Sequence, residues 1–268
     1  MAQRQFLTSI RLIGMTHLLP LPGSPGYGGS REHIFDRAMA DARILQEAGF
    51  DAILVENFGD APFAKTDAGK HVVADMTAII TALQREITIP IGVQVLRNDA
   101  GGALAIAAAT GARFIRVNVH SGAMVTDQGL IEGRADETLR FRHAIDARNI
   151  SILADVFVKH GTPLAPSSLA NAVRDTVERG LADGVIVSGN GTGEAADLED
   201  VQTAATNTAA PVFVGSGVRL DTLSETLSLA HGVIVGTSIK VGRITVAPVD
   251  RAAAIEFAGR AHQLLRDL

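Results

Sequence analysis

Two kinds of hydrophobic pattern alternate along the chain. Short runs are apolar at nearly every position, and longer alanine-rich stretches carry apolar residues every three or four positions. The first pattern predicts strands covered on both faces, the second amphipathic helices. Eight runs read as strands: Arg11–Leu18, Ala52–Asn57, Pro90–Arg97, Phe114–Val119, Ser151–Lys159, Gly184–Gly189, Pro211–Gly217 and Gly232–Ser238. Between the first two lies "REHIFDRAMADARILQEAG", with Ile34, Ala38, Ala42 and Leu45 on one face. "NDAGGALAIAAATGA" reads as a helix in the same way.

Strict alternation of strand and helix predicts an α/β fold with a parallel sheet. A (β/α)8 TIM barrel, a closed parallel sheet of eight strands, takes about 250 residues. The chain has 268, which suits one such domain over residues 1–268. An open doubly wound sheet is the competitor. Against it, no G-x-G-x-x-G follows the first strand, and no linker or shift in composition divides the chain. "AGFDAILVEN", "TGARFIRVNV", "GLADGVIVSG" and "LAHGVIVGTS" repeat one phrase before strands 2, 4, 6 and 8. They are consistent either with a duplicated βαβα unit or with the ordinary preference for glycine after a helix.

Polar residues gather at one end of these strands. In a parallel barrel the C-terminal strand ends and the loops after them form the active site. His17 ends strand 1, Glu56 and Asn57 end strand 2, and strand 3 ends at Gln94, Arg97 and Asn98. Strand 4 carries Arg116 and Asn118; strand 5 carries Asp155, Lys159 and His160. Period two puts Leu54 with Glu56, Arg116 with Asn118, and Asp155 with Lys159 on common faces. If these faces point inward, the charges must pair with each other or with a ligand. Either an ion-pair layer, such as Arg116 with Glu56 or Asp155, or a binding site satisfies that demand. Glu56, Asp155, Lys159 and His17 are the candidate catalytic groups, as acid, base, electrophile, Schiff-base amine or proton carrier. Asn57, Arg97, Asn98, Arg116, Asn118, Asp127 and His160 are candidate ligand-binding residues. Long loops after strands 1, 2 and 4 lie at the same end and read as candidate lids.

The last three strands end differently. Strand 6 ends in Ser188 and Gly189, followed by Gly191, Thr192 and Gly193. Strand 7 ends in Gly215-Ser216-Gly217 and strand 8 in Gly236-Thr237-Ser238. Barrels commonly hold a phosphate after strands 7 and 8, where glycine lets the anion approach backbone N–H groups and hydroxyls add donors. These residues therefore form a candidate phosphate cup, with plain tight turns as the alternative. Lys240 lies too far along to count as part of it and reads equally well as a solvated side chain.

Composition narrows the partners. Net charge is −5 with acids and bases interspersed, so nucleic acid is an unpromising partner. No apolar run approaches the ~20 residues of a membrane span. The absence of cysteine excludes thiolate zinc and disulfides and fits the cytoplasm. Magnesium through Glu56, Asp127 and Asp155 is conceivable, but no spacing requires a metal. A small phosphorylated ligand is the expected partner, and the alanine-rich outer helices could also pack against a second copy of the chain.

Four stretches carry a specific likeness: "GMTHLLPLPGSP", "VENFGDAPF", "VLRNDAGGALAIAAATGARFIRVNVHSGAMVTDQGLIEG" and "LADVFVKHGTPL". They resemble the BtpA/SgcQ family, from about Ile13 to near the C-terminus. The resemblance implies a barrel similar to the ribulose-phosphate-binding enzymes, in agreement with the cup. It carries over the importance of the strand-end residues named above, with Asp60 and Gln128, but no reaction. One branch of the family is linked to photosystem I stability and others occur in sugar-utilisation gene clusters. Two expectations follow: a lyase or isomerase acting on a sugar phosphate, or a non-catalytic assembly or stability factor.

Overall fold

The computed structural model describes residues 2–189 and 191–267. Eight parallel strands close into a barrel: β1 (Leu12–His17), β2 (Ala52–Glu56), β3 (Ile91–Gln94), β4 (Phe114–Val117), β7 (Ser151–Asp155), β9 (Gly184–Val187), β10 (Val212–Val214) and β11 (Gly232–Val235). β11 pairs with β1 through Leu12↔Val233 and its neighbours, which closes the ring. These are the eight runs read from the sequence, shortened; the fifth stops at Asp155, so Lys159 and His160 lie in the loop after it and not on the strand. Helices α2 (Arg31–Ala48), α3 (Lys70–Leu83), α4 (Ala100–Thr110), α5 (Ala135–Ala144), α6 (Leu169–Arg174), α7 (Leu198–Thr206), α8 (Leu223–Leu229) and α9 (Arg251–Asp267) follow the successive strands. α6 runs on into a π-helical turn, Asp175–Arg179.

Helix α2 shows how local signals set the boundaries. Ser30 caps it by accepting the His33 N–H, and Gly49 ends it in the left-handed region at φ 90°. Ile34, Ala38, Ala42 and Leu45 form its buried face, as their spacing requires. Gly111 caps α4 in the same left-handed way. The turns before β9 and β11 have no left-handed glycine at the helix end, so the repeated phrase rests on two different cap geometries.

Two apolar regions hold the barrel. One lies between strands and helices. The other fills the interior with Ile13, Met15, Ala52, Leu54, Phe114, Leu153, Ile186, Phe213 and Ile234. Glycines make room for its rings. A Cβ on Gly92 would lie 2.3 Å from the Phe114 ring, and one on Gly232 would lie 2.8 Å from Phe213. At the N-terminal end the barrel is plugged by α1 (Ala2–Thr8), which the sequence pattern did not reveal. Its Leu7 is buried in the interior cluster and Phe6 packs near Phe114 at 6.2 Å.

The other addition sits at the opposite end. The loop after β4 folds into a hairpin, β5 (Ala123–Thr126) and β6 (Gly129–Glu132), and β8 (Gly161–Pro163) joins it. The three form a small antiparallel sheet that braces the loop after β7. Among the described residues no helix is long and apolar enough to cross a membrane.

Candidate active site at the barrel mouth

Moving up the barrel axis, apolar side chains give way to charged ones at fixed register. Glu56 follows Leu54 on β2, Arg116 follows Phe114 on β4, and Asp155 follows Leu153 on β7. All three charged residues are buried. Arg116 and Asp155 form a two-pronged ion pair, Nε to Oδ2 at 2.8 Å and Nη2 to Oδ1 at 2.7 Å. Asn118 donates to Asp155 Oδ2 at 2.9 Å, and Arg97 donates to Asn118 Oδ1 at 3.2 Å. Burial opposes the charge on Arg116, yet its bonds to Asp155 and the nearby Glu56 raise its pKa above the ordinary value.

Above this layer lies a cavity of about 210 Å³. Three groups of residues meet around it. β1 and β2 supply His17 and Glu56; β4 and the loop after β7 supply Arg116 and Lys159; the ends of β10 and β11 supply Gly215-Ser216-Gly217 and Gly236-Thr237-Ser238. Thr192 and Gly193 enter from the loop after β9. The glycines are close to obligatory. A Cβ at Gly217, where φ is 62°, would lie 2.2 Å from the backbone of Glu194 and Ala195, and one at Gly215 would lie 2.5 Å from Ile186. The hydroxyls brace the loops: Ser216 donates to Gly191 O at 3.1 Å, Ser238 donates to Val218 O at 2.7 Å, and Thr237 bonds Thr245 at 3.0 Å. Thr237–Ile239 is a single 3₁₀ turn, whose opening N–H groups have no carbonyl partner within it.

His17 and Glu56 form a proton-holding pair. His17 Nδ1 lies 3.0 Å from the Thr245 carbonyl, so it must carry a hydrogen and donate it. Nε2 is thereby left to face Glu56 Oε2, at 3.4 Å. The ring rests against Phe58 at 4.8 Å. Burial pushes the Glu56 carboxyl up, but the His17 bond and the charges of His17, Lys159 and Arg116 outweigh it and hold the pKa below its ordinary value.

Lys159 is presented by a strained turn. Phe157 and His160 on either side of it have left-handed backbones, at φ 52° and 57°, without being glycine. Arg97 fixes the turn by donating to Lys159 O at 2.6 Å. Burial first, then the charge of Arg116, lower the lysine's pKa; Glu56 and Asp155 only partly oppose this.

The other strand-end residues have different positions. Asn57 donates to Asp60 and accepts from Leu96 N at 2.7 Å, clamping backbone. Asn98 bonds both backbone atoms of Val119. Asp127 is exposed on the β5–β6 turn, and His160 lies 3.0 Å from Thr192 Oγ1 behind the cavity wall. Ser188, Gly189 and Gly191 do not line the cavity: Gly191 O accepts from Ser216, a Cβ on Gly189 would meet Glu194 O at 2.5 Å, and the buried Ser188 hydroxyl has no hydrogen-bond partner among the described residues. Lys240 turns away and is buried against Asp41 at 3.1 Å. Glu56, Asp127 and Asp155 do not converge, and among the described residues no group of acids and histidines could hold a metal. The sequence reading missed Phe58, Arg219, Arg243 and Thr245, which also line the cavity. Arg243 and Thr245 lie on the strap after β11, which no hydrophobic period marks; the left-handed φ of 56° at Arg243 is visible only in coordinates.

A family model described as the BtpA family matches residues 8–263. The chain belongs to the BtpA family. Among its BtpA relatives, the Photosystem I biogenesis protein BtpA of Synechocystis is 51% identical over 237 residues, 88% of this chain and 82% of that protein. An uncharacterized protein of Pyrococcus horikoshii is 46% identical, covering 96% of both chains. Solved structures share this chain's barrel at low identity. A Mycobacterium tuberculosis tryptophan synthase superposes with a TM-score of 0.63 at 20% identity, over 97% of this chain and 96% of that one. The thiamine phosphate pyrophosphorylase of Pyrococcus furiosus gives 0.62 at 16%, over 97% and 99%. These likenesses establish the TIM-barrel fold.

Proposed function

We propose that this BtpA-family barrel is an enzyme that moves a proton next to the carbonyl of a small sugar phosphate, in an isomerase- or lyase-type reaction. The observation that carries this reading is one cavity lined on one side by the glycine-rich ends of β10 and β11 and on the other by His17, Glu56 and Lys159. The cup would hold the phosphate on backbone N–H groups of loops 215–217 and 236–238. Arg243 at the rim would add a cation. A phosphate fixed there directs the carbon chain toward β2 and β7, where the ionisable groups stand. His17, with Nδ1 committed to Thr245, would carry the moving proton on Nε2, and Glu56 would stabilise the charged imidazole. The name of the thiamine phosphate pyrophosphorylase agrees with a phosphorylated ligand on this fold, by analogy only.

The test is solvent deuterium exchange followed by NMR, across three- to six-carbon sugar phosphates. Exchange at carbon beside the carbonyl, lost in Glu56→Gln, is the expected result. No exchange and no turnover with any of them would remove the proton-transfer reading.

A second reading has one observation in its favour, the name of the Synechocystis relative, a Photosystem I biogenesis protein. On that reading the protein supports assembly of other proteins through its surface. Val241, Ile244 and Val246 then matter, since the strap exposes them beside the mouth. Variants there would abolish a cellular phenotype that Lys159→Met leaves intact.

A further inference from the structure

Lysine is scarce in this chain. It occurs only as Lys65, Lys70, Lys159 and Lys240. Lys65 and Lys70 are exposed, and Lys240 is buried in its ion pair with Asp41. Lys159 alone lines the mouth cavity. Among the described residues it has neither an ion pair nor a hydrogen bond to its ammonium group. The carboxylates near it are already committed. Asp155 is filled by Arg116 and Asn118, and Glu56 faces His17. A counter-ion role would leave Lys159 with a partner; here the amine stands in the cavity without one. Its backbone is held rigid by Arg97 and by the strained turn, as a reacting group needs.

We propose that Lys159 is a nucleophile that forms an imine with the carbonyl carbon of a phosphorylated aldehyde or ketone. This rests on the proposed function above and names the chemistry of that site. The amine first gives up its ammonium proton. Its nitrogen then attacks the carbonyl carbon, forming C–N while the C=O electrons move to oxygen, which takes a proton. The nitrogen then gives up a proton to that hydroxyl, which leaves as water as the freed nitrogen lone pair forms C=N. The resulting iminium accepts the electron pair when a neighbouring C–H or C–C bond breaks, and the His17–Glu56 pair takes or returns the proton. Water re-enters to release product and free the amine, so no oxidant or reductant is consumed. The lowered pKa of Lys159, set by burial and Arg116, favours the neutral amine this chemistry uses.

The experiment is borohydride trapping on the full chain, with glyceraldehyde 3-phosphate, dihydroxyacetone phosphate and ribulose 5-phosphate as probes. Intact mass and peptide mapping read the adduct. The expected result is one reduced adduct on Lys159 with at least one probe, kept in Lys70→Met and lost in Lys159→Met. In parallel, inorganic phosphate is titrated and followed by thermal shift. Stabilisation by phosphate without a Lys159 adduct would overturn the imine and leave the phosphate cup standing. Absence of both would overturn the underlying reading as well. Label spread over Lys65 and Lys70 at the same level as Lys159 would also overturn the proposal.

Discussion

Arg116 on β4 and Asp155 on β7 bind each other through two parallel hydrogen bonds beneath the mouth cavity, with side chains 3% and 0% exposed. Asp155 is therefore the floor of the site, not a free base. Removing one partner strands a buried charge, which typically costs about 3–5 kcal/mol. Arg116→Met and Asp155→Asn are each expected to destabilise by that order in denaturant unfolding. The double variant should cost clearly less than the sum, because neither charge is then left alone. Additive losses would show that the two groups do not act as a pair.

Glu56 gives a pH signature. Its pKa in the folded protein lies below the ordinary 4.5, so the folded state favours the carboxylate. That stability is fully present above the unfolded value and is lost as pH falls through the lower folded value. Glu56→Gln is expected to cost on the order of 1–3 kcal/mol near neutral pH, as for a charge-assisted hydrogen bond. The gap between wild type and variant should narrow as pH drops below about 4.5. Unfolding curves at a series of pH values check this, and a gap that widens on acidification would contradict it.

Lys159 should separate stability from activity. Its pKa is lowered in the fold, so the protein binds the lysine's proton less well than the unfolded chain does. Retaining the charge at neutral pH therefore weakens the folded state, and that cost fades as pH rises toward the lysine's ordinary range. Lys159→Met is expected to leave thermal stability unchanged or raised at neutral pH while abolishing turnover. A clear loss of stability would assign Lys159 a structural role.

Gly217 tests the cup as a shape. At φ 62°, with backbone of Glu194 and Ala195 2.2 Å from any added Cβ, the position has neither the conformation nor the room for a side chain. Gly217→Ala is expected to destabilise by about 1–3 kcal/mol and to weaken phosphate binding. Gly28→Ala, where nothing lies within 4 Å, is the control that should change neither.

The barrel was legible because each strand is apolar at nearly every position and the helices carry apolar residues every third or fourth, and because closure needs little beyond that pattern. Glu56 and Arg116 were legible too, since period two after an inward Leu54 or Phe114 fixes where they point; Lys159 lies past the end of β7 on a turn with left-handed residues, where strand period no longer applies. The same rule could not separate Asn57 and Asn98 from the cavity residues, because a polar side chain just past a strand serves a loop backbone equally well. Thr245 was invisible for another reason. It acts through its carbonyl on His17, 228 residues away, and backbone atoms leave no mark in residue type. Helix α1 escaped notice because seven residues with mixed polarity carry no clear period.

The central claim is that the loops after β10 and β11 hold a phosphate group facing Lys159 and Glu56. Titrating the protein with inorganic phosphate, beside Gly217→Ala and Lys159→Met, tests it directly by calorimetry, followed by a crystal structure of the complex. The expected result is saturable binding, weakened in Gly217→Ala, with the anion on the amides of 215–217 and 236–238. Binding that Gly217→Ala leaves unchanged, or an anion located anywhere but between those two loops, would contradict the account.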